Sequence, residues 1–454
     1  MTVLNAITNG QYISDQADIK TAEISAIRIL PHITHAFVQP TRVLGLLENI
    51  AGLGDRVKVT HPLGGHDAHF LFHPTDIDRV LRKAHKSFSI TPQQYKMLKS
   101  KGGKIHPTIV NSKGKQWETE RRKLAKHVHS VKGLDSAGLE TVSEEVDRLI
   151  ESWKDKDQIS LGEESSDLFI RLGYRILFGQ EAANDTAKKL GNGASVINRH
   201  QYTVALSNGL LRPLSEQWPK LKAALDDFHS EVSAVRVKYL EQLADEGKEI
   251  GILLDDLHDD IDPETADARI AMMIRASHTT MTYTLFNAVW NLADRPDLQA
   301  RIANQDPNDQ ITHQVIQETM RLTPPITVIP KQANENVQVD EDYIIREGET
   351  VIISPHVTGR DPRFYQRPEE FLPDIHFERE AELSRHRDAF IPYGIGPRKC
   401  PGRGMAEQQL SIILSKVCAN FEFKKTTQAD PVPQATFIML PDRSCKISVQ
   451  PRAQ

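Results

Sequence analysis

The chain has 454 residues, and its 56 Lys plus Arg against 61 Asp plus Glu leave a formal charge of −5. With 39% hydrophobic and 26% charged residues it has the composition of a folded globular protein, not of a disordered or fibrous one. The small acidic excess argues against nucleic acid as a main partner, because phosphate binding wants a clear basic surplus. Three cysteines, Cys400, Cys418 and Cys445, are too few for a disulfide framework and suit a reducing compartment. The opening MTVLNAITNGQYISDQ lacks a basic stretch leading into an apolar one. No uncharged apolar run approaches the ~18 residues a membrane span needs. The expectation is a cytoplasmic protein without a membrane anchor.

In chain order, residues 1–50 read as a mixed leader with helical stretches. Two short strands are predicted at Arg56–Thr60 and His69–Phe72, separated by the turn material of HPLGGH. A helix opens at His73-Pro74-Thr75-Asp76 with Ile77, Val80 and Leu81 on one face. Ser87 to Lys115 is polar and rich in Gly and Lys, which reads as a mobile loop. From Trp117 to about Lys248 the pattern is mostly helical.

Asp262-Pro263-Glu264 then starts the clearest helix: a capping Asp, a Pro suited to the first turn and an acid against the helix dipole. Its periodicity runs to Pro296, about 32 residues or roughly 48 Å at 1.5 Å per residue. The middle, Ile274-Arg275-Ala276-Ser277-His278-Thr279-Thr280, is unusually polar for a helix that long, and a ligand is one candidate partner for it. A second helix covers Ile311–Leu322, and short strands follow near Gln338–Asp340 and Val351–Ser354. A helix from about Met405 to Phe421 follows a Gly-rich loop. No internal repeat and no Pro/Gly/Ser linker is visible, so one domain over residues 1–454 is expected, mainly α with small sheets.

Cys400 sits in that loop among Gly394, Gly396 and Gly402, beside Arg398 and Lys399. Glycines allow close backbone approach, and nearby cations stabilise a thiolate, a good axial ligand for haem iron. Taken alone, a structural thiol in a Gly-rich turn explains the cysteine equally well.

The stretch Pro392-Tyr393-Gly394-Ile395-Gly396-Pro397-Arg398-Lys399-Cys400-Pro401-Gly402 closely resembles the haem-binding loop of the cytochrome P450 family, with Tyr393 where that family usually carries Phe. Further marks occur in the right order. Glu318-Thr319-Met320-Arg321 looks like the family's Glu-x-x-Arg pair, and Trp117 to Arg121 looks like its Trp-x-x-x-Arg element. Arg360-Asp361-Pro362 and Pro368 to Pro373 resemble the segment before the Cys loop, but its customary Arg is missing; His376 is a candidate stand-in.

The resemblance implies a triangular, helix-rich cytochrome P450 fold around one haem b (iron protoporphyrin IX). Cys400 would be the iron ligand, with Arg398, Arg121, Trp117 and Lys331 on the propionate side and Tyr393, Gly394, Gly402 and Ala276 also against the cofactor. The residues assigned to catalysis are Thr280, Thr279, Glu318 and Arg321. The activity implied is a monooxygenase of bacterial, soluble type, which inserts one atom of O2 into a small lipophilic metabolite such as a terpenoid, polyketide, fatty acid or steroid, in a setting of secondary metabolism. Electrons would come from a separate ferredoxin or flavodoxin with its reductase, since no nicotinamide or flavin fingerprint is present. Lys113, Lys115, Arg122, Lys123 and Lys126, with Lys399 and Arg403, could steer that donor or be a solvated face.

Within the long helix the family motif Ala-Gly-x-acid-Thr corresponds to Ala276 through Thr280. Thr280 supplies the alcohol, but Thr279 stands where a carboxylic acid is customary and cannot deliver a proton as an acid does. His278 could substitute or point into the helix bundle. Arg275 lies at a substrate-facing position; it pairs either with a polar or anionic substrate group or with a neighbouring helix. Met272, Ser277, Ile326 and Val328 complete the expected substrate contacts, together with stretches near Ile90–Ile109 and Asn198–Leu214. A haem-thiolate lyase, isomerase or peroxide-using enzyme is the alternative that the missing acid favours, and a non-catalytic haem protein is a further one.

Overall fold

The computed structural model describes residues 19–25, 42–61, 65–92, 94, 105–130, 136–206, 217–246, 261–304, 309–427, 431, 434–435 and 438–452. The chain sorts into two compact units: Met1–Thr91 with Gln317–Cys400, and Pro92–Ile316 with Pro401–Gln454.

The first unit is built on a six-stranded sheet. Its strands are β1 (Thr21–Ser25), β2 (Arg56–Thr60), β3 (Ala68–Leu71), β4 (Phe88–Ser89), β5 (Ile329–Ala333) and β6 (Thr350–Ile353), in the spatial order β1-β2-β3-β6-β5-β4. β2 occupies the residues predicted for it and pairs antiparallel with β3, Val57 opposite Phe70. β3 pairs parallel with β6, His69 opposite Val351. Phe88–Ser89 falls in the stretch expected to be a loop, yet it pairs with Ala333 and Gln332. The burial of Phe88 among apolar neighbours outweighs the polar composition of that stretch.

After the short helix Pro74–Asp78 the chain widens into a π turn over Arg79–Lys83, where Ala84 N–H reaches the Arg79 carbonyl at 2.8 Å. Ile77, Val80 and Leu81 still point inward as their spacing predicts, and pack with Leu71, Val351, Ile353 and Ile391.

The second unit is helical. Its main elements are α1 (Gly114–Ser130), α2 (Ser136–Trp153), α3 (Leu161–Phe178), α4 (Asn184–Leu206), α5 (Gln217–Glu246), α6 (Pro263–Leu292), α7 (Pro296–Ala303) and α8 (Arg403–Asn420). One apolar cluster joins Tyr174 and Phe178 of α3, Leu190 and Ile197 of α4, Phe228 and Tyr239 of α5, and Ile270 and Ile274 of α6. α6 begins as the sequence predicts: Asp262 is its N-cap, accepting from Thr265 N–H at 2.9 Å, with Pro263 at the first helical position.

Several hydroxyls in and beyond the polar centre of α6 are satisfied within the helix. Thr280 Oγ1 donates to the Ala276 carbonyl at 2.8 Å, Ser277 Oγ to Met273 at 2.9 Å, Thr282 Oγ1 to His278 at 2.7 Å and Thr284 Oγ1 to Thr280 at 2.9 Å. Hydroxyls at helical spacing can satisfy themselves on the preceding turn, while Arg275, His278 and Thr279 find partners on neighbouring helices. No helix among the described residues is long and apolar enough to cross a membrane.

Candidate functional site

The Gly-rich loop of the first unit holds Cys400 by its backbone. Gly394 N–H bonds the Ile391 carbonyl at 2.9 Å, Lys399 N–H that of Gly396 at 3.1 Å, and Cys400 N–H that of Tyr393 at 2.8 Å. Gly394 and Gly396 have φ of 65° and 73°, in the left-handed region that favours glycine. At Gly396 space forbids anything else, since a Cβ would stand 2.2 Å from the Leu81 carbonyl oxygen. Cys400 is exposed, whereas Cys418 and Cys445 are buried. Burial pushes the Cys418 thiol up to about 12, and burial with the Asp442 carboxylate pushes Cys445 up to about 11, so neither is placed to act as a thiolate.

Lys331 of β5 and Arg398 of the Cys loop line one small cavity of about 40 Å3, with Leu81, His85, Phe88, Ile329, Gly394 and Ile395. Burial, and then the Arg398 guanidinium, depress the Lys331 ammonium to about 8. Two cations share an apolar cavity, and no carboxylate bonds Lys331 among the described residues. This donor set fits an anionic group such as a haem propionate. Changing Lys331 to Met is expected to speed haem loss to apomyoglobin by about tenfold or more, the worth of a hydrogen bond to a charged group. An unchanged transfer rate would remove Lys331 from the site.

The Glu318–Arg321 pair lies on one face of the helix Ile311–Leu322, both side chains fully buried. Arg321 Nε and Nη2 grip the carboxylate at 2.7 and 2.8 Å. Its remaining N–H groups donate to the carbonyls of Gly359 at 2.7 Å, Pro368 at 2.6 Å and Glu370 at 2.9 Å. Glu318 Oε1 also accepts from Leu372 N–H at 2.7 Å and contacts His376 Nδ1 at 2.9 Å. The pair thus clamps residues 359–376 ahead of the Cys loop, and His376 joins it through Glu318. Glu318 and Arg321, grouped by the sequence with the catalytic residues, are enclosed in this network and act through position.

In the second unit, α6 presents Ala276 as exposed and Thr280 as partly so, on one stripe. Thr279 is 2% exposed and turned away: Asn198 Nδ2 of α4 donates to its hydroxyl at 2.6 Å, while Asn198 Oδ1 accepts from Arg275 Nη2 at 2.9 Å. Arg275 is therefore joined to a neighbouring helix through the Asn198 amide, the second of the two pairings the sequence left open. His278 faces α3, its Nε2 2.9 Å from Ser166 Oγ. Burial, then the Arg443 charge, lower it to about 4, which holds it neutral and away from the Ala276–Thr280 stripe. A proton-relay role for His278 finds no support in this geometry.

Ser277 packs 3.4 Å from where a Cβ on Gly173 of α3 would sit. Met272 is half-buried on α6, as are Trp117 and Arg121, one turn apart on α1. Gly402 begins α8, its carbonyl accepting from Ala406 N–H at 2.9 Å. In the first unit Ile326 is half-buried and Val328 lies 2% exposed just before β5. Lys113, Lys115 and Arg122 are exposed on and before α1; Arg403 is exposed and paired with Glu407. Most of the expected substrate stretches, at 95–104 and 207–216, and the Lys126 side chain fall outside the described residues.

Sequence reasoning missed Ser166 and His85, and placed Asn198 in a substrate-lining stretch without its role as partner of Thr279 and Arg275. Ser166, His85 and Asn198 are single polar residues in helical or turn segments, and only the packing partner marks them.

The cytochrome P450 family model matches residues 58–449. A sterol 14alpha-demethylase of Mycolicibacterium vanbaalenii is 24% identical over 68% of this chain and 72% of its own length. A probable cytochrome P450, CYP44, of Caenorhabditis elegans is 23% identical over 83% of this chain and 80% of its own. Other relatives align over less: cytochrome P450 4g15 of Drosophila melanogaster is 33% identical over 30% of this chain, and the match spans 24% of that protein. The crystal structure of CYP175A1 from Thermus thermophilus superposes with a TM-score of 0.73 at 21% identity, over 95% of this chain and all of that one. The family match over most of the chain makes this a haem-thiolate protein. The chain belongs to the cytochrome P450 family, and its cofactor is protoporphyrin IX haem, which the exposed Cys400 and the cationic cavity of Lys331 and Arg398 fit.

Proposed function

We propose that this chain, acting as one catalytic domain, is a monooxygenase that inserts one atom of O2 into a small lipophilic metabolite, reducing the other to water with two electrons and two protons. The observation that carries the reading is the presentation of Cys400, the one exposed cysteine, on a loop whose glycines fix it. Haem bound through such a thiolate supplies dioxygen activation, because thiolate donation favours O–O cleavage. Lys331 and Arg398 would hold a propionate, and the family resemblance assigns Arg121 and Trp117 to the same task. Thr280 Oγ1 donates its hydrogen bond to the Ala276 carbonyl, which leaves its lone pairs to accept from a water and hold that water in place for proton delivery. A ferredoxin or flavodoxin with its reductase supplies the electrons; Lys113, Lys115 and Arg122 suit an acidic donor. The substrate is a terpenoid, polyketide, fatty acid or steroid, in secondary metabolism in the cytoplasm. Arg275, already oriented by Asn198, reads an anionic or polar group on it.

A second reading, a haem-thiolate enzyme that needs no delivered electrons, is favoured by Thr279, whose hydroxyl is bonded to Asn198 and is no acid. One experiment addresses both readings: turnover under 18O2 with added redox partners, over a panel of acids and their methyl esters, for the native chain and Arg275→Ala. The monooxygenase reading expects one 18O per product and NAD(P)H consumed in step. Product formed without O2 or electrons supports the second reading instead. The Arg275 role expects binding of acids, but not esters, to weaken about tenfold or more in the variant; equal weakening of both would discard it.

A further inference from the structure

His106 is 8% exposed, and its two ring nitrogens have unlike surroundings. Nδ1 stands 3.1 Å from Thr265 Oγ1 on the first turn of α6. That hydroxyl gives its one hydrogen to Asp262 Oδ2 at 2.7 Å. The Thr265 bonds hold the Asp262 carboxyl below its usual range, so it is ionised and only accepts. Thr265 therefore receives from His106 Nδ1–H, and Nε2 is the ring nitrogen left to take another partner. Nε2 is buried and makes no hydrogen bond; the facing Glu264 Oε2 is 3.5 Å away. Main-chain bonds hold the ring there. The His106 carbonyl accepts from Asn111 Nδ2 at 2.9 Å, and Thr108 N–H donates to Asn111 Oδ1 at 2.6 Å.

We propose that His106, Asp262 and Glu264 hold one Zn2+, which ties residues 105–112 to the start of α6. Among the described residues this is the one group of three His, Cys, Asp or Glu side chains whose ligand atoms converge, all within 4.8 Å of one another. The 3.5 Å between Nε2 and Oε2 is close to the edge, about 3.3 Å, of a tetrahedron with zinc bonds of about 2.0 Å. Each Asp262 oxygen keeps a lone pair beyond its Thr265 bond, and the exposed Glu264 side chain can turn through the remaining distance. A water would complete four ligands. Thr265, on Nδ1 and itself bonded to Asp262, is the kind of outer partner that orients a metal-binding imidazole. Glu264 also lines a cavity of about 730 Å3 beside α5, a way in from solvent. The positive end of α6, about half a charge, opposes a cation, but two carboxylates outweigh it. An imidazole ligand selects zinc over magnesium or calcium, which prefer oxygen alone. The site lies within the second unit and does not rest on the oxygen chemistry assigned to Cys400.

The test titrates haem-loaded protein, first stripped of free metal, with Zn2+ by calorimetry, beside His106→Gln, Glu264→Gln and Thr265→Val. The native chain should show one tight site, lost in His106→Gln and Glu264→Gln and about tenfold weaker in Thr265→Val. About a hundredfold excess of Mg2+ should not displace the ion. Bound Zn2+ should slow hydrogen exchange at the Asn111 and Ser112 amides, both bonded to the Thr108 carbonyl, by about tenfold. No tight site in the native chain, or the same site in His106→Gln, would overturn the proposal. Displacement by Mg2+ would overturn it too, reducing the site to an exposed acidic pair. Zinc binding without slower exchange would overturn the tie between loop and helix. Should His106→Gln fail to fold, Glu264→Gln, which alters an exposed side chain, decides alone.

Discussion

Replacing Cys400 by alanine is expected to abolish the thiolate-type Soret band of the ferrous–CO complex while leaving the unfolding transition of the apoprotein nearly unchanged. Cys400 is exposed and its loop is fixed by main-chain bonds and by Gly394 and Gly396, so deleting the sulfur removes a ligand and little packing. Surface changes of that kind stay within about 0.5 kcal/mol. Neither other cysteine can replace it, since burial keeps both thiols protonated. The comparison is of absorption spectra under CO and dithionite, with circular dichroism melts alongside. A thiolate band that persists in Cys400→Ala would place the iron ligand elsewhere and undo the monooxygenase reading with it. Loss of both the band and the fold would show that the loop needs the sulfur for stability.

Changing Arg321 to alanine should have the largest effect on stability in the first unit. Four things go at once: the charge partner of Glu318 and the donors to the carbonyls of Gly359, Pro368 and Glu370. Breaking a buried ion pair costs about 3–5 kcal/mol, against a total stability of about 5–15 kcal/mol for a typical domain. The expected result is little soluble protein and no stable haem incorporation, read from urea melts and from haem content per chain. Exchanging both partners for apolar residues, which often spares a simple ion pair, should not rescue it here. The three carbonyls, that of Gly359 buried and those of Pro368 and Glu370 partly so, would still lose their donor. If Glu318→Leu/Arg321→Met were as stable as the native chain, the clamp would be dispensable.

Much of this molecule was legible in its sequence because the informative signals are local. The helix Ile311–Leu322 and the strand Arg56–Thr60 have the bounds their patterns predict, and the cap at Asp262 and stop near Pro296 frame α6 correctly. Signals fail where a residue's meaning depends on a distant partner. His278 looks like a titratable group in a functional motif, but its state is decided by burial and the Arg443 charge, and its partner is Ser166, 112 positions away. Thr279 is defined by Asn198, 81 positions away, and His376 by Glu318, 58 positions away. The two-residue strand Phe88–Ser89 is too short to show alternation and exists because β5 offers an edge. Substitutions relative to a family motif can be seen in a sequence; their compensation is seen only in space.

The sheet of the first unit carries a consequence for how the chain is made. β3 ends at Leu71, yet its parallel neighbour β6 begins only at Thr350, and β4 at Phe88 awaits Ala333. A ribosome must therefore release most of the chain before this sheet can close, and the waiting edges of β3 and β4 are open to wrong pairings during that interval. The helices α3 to α6 draw their core from a continuous stretch and have no such wait. Synthesis should thus produce a helical intermediate first, with the Cys400 loop and its clamp among the last parts to form, and haem capture deferred to the end of translation.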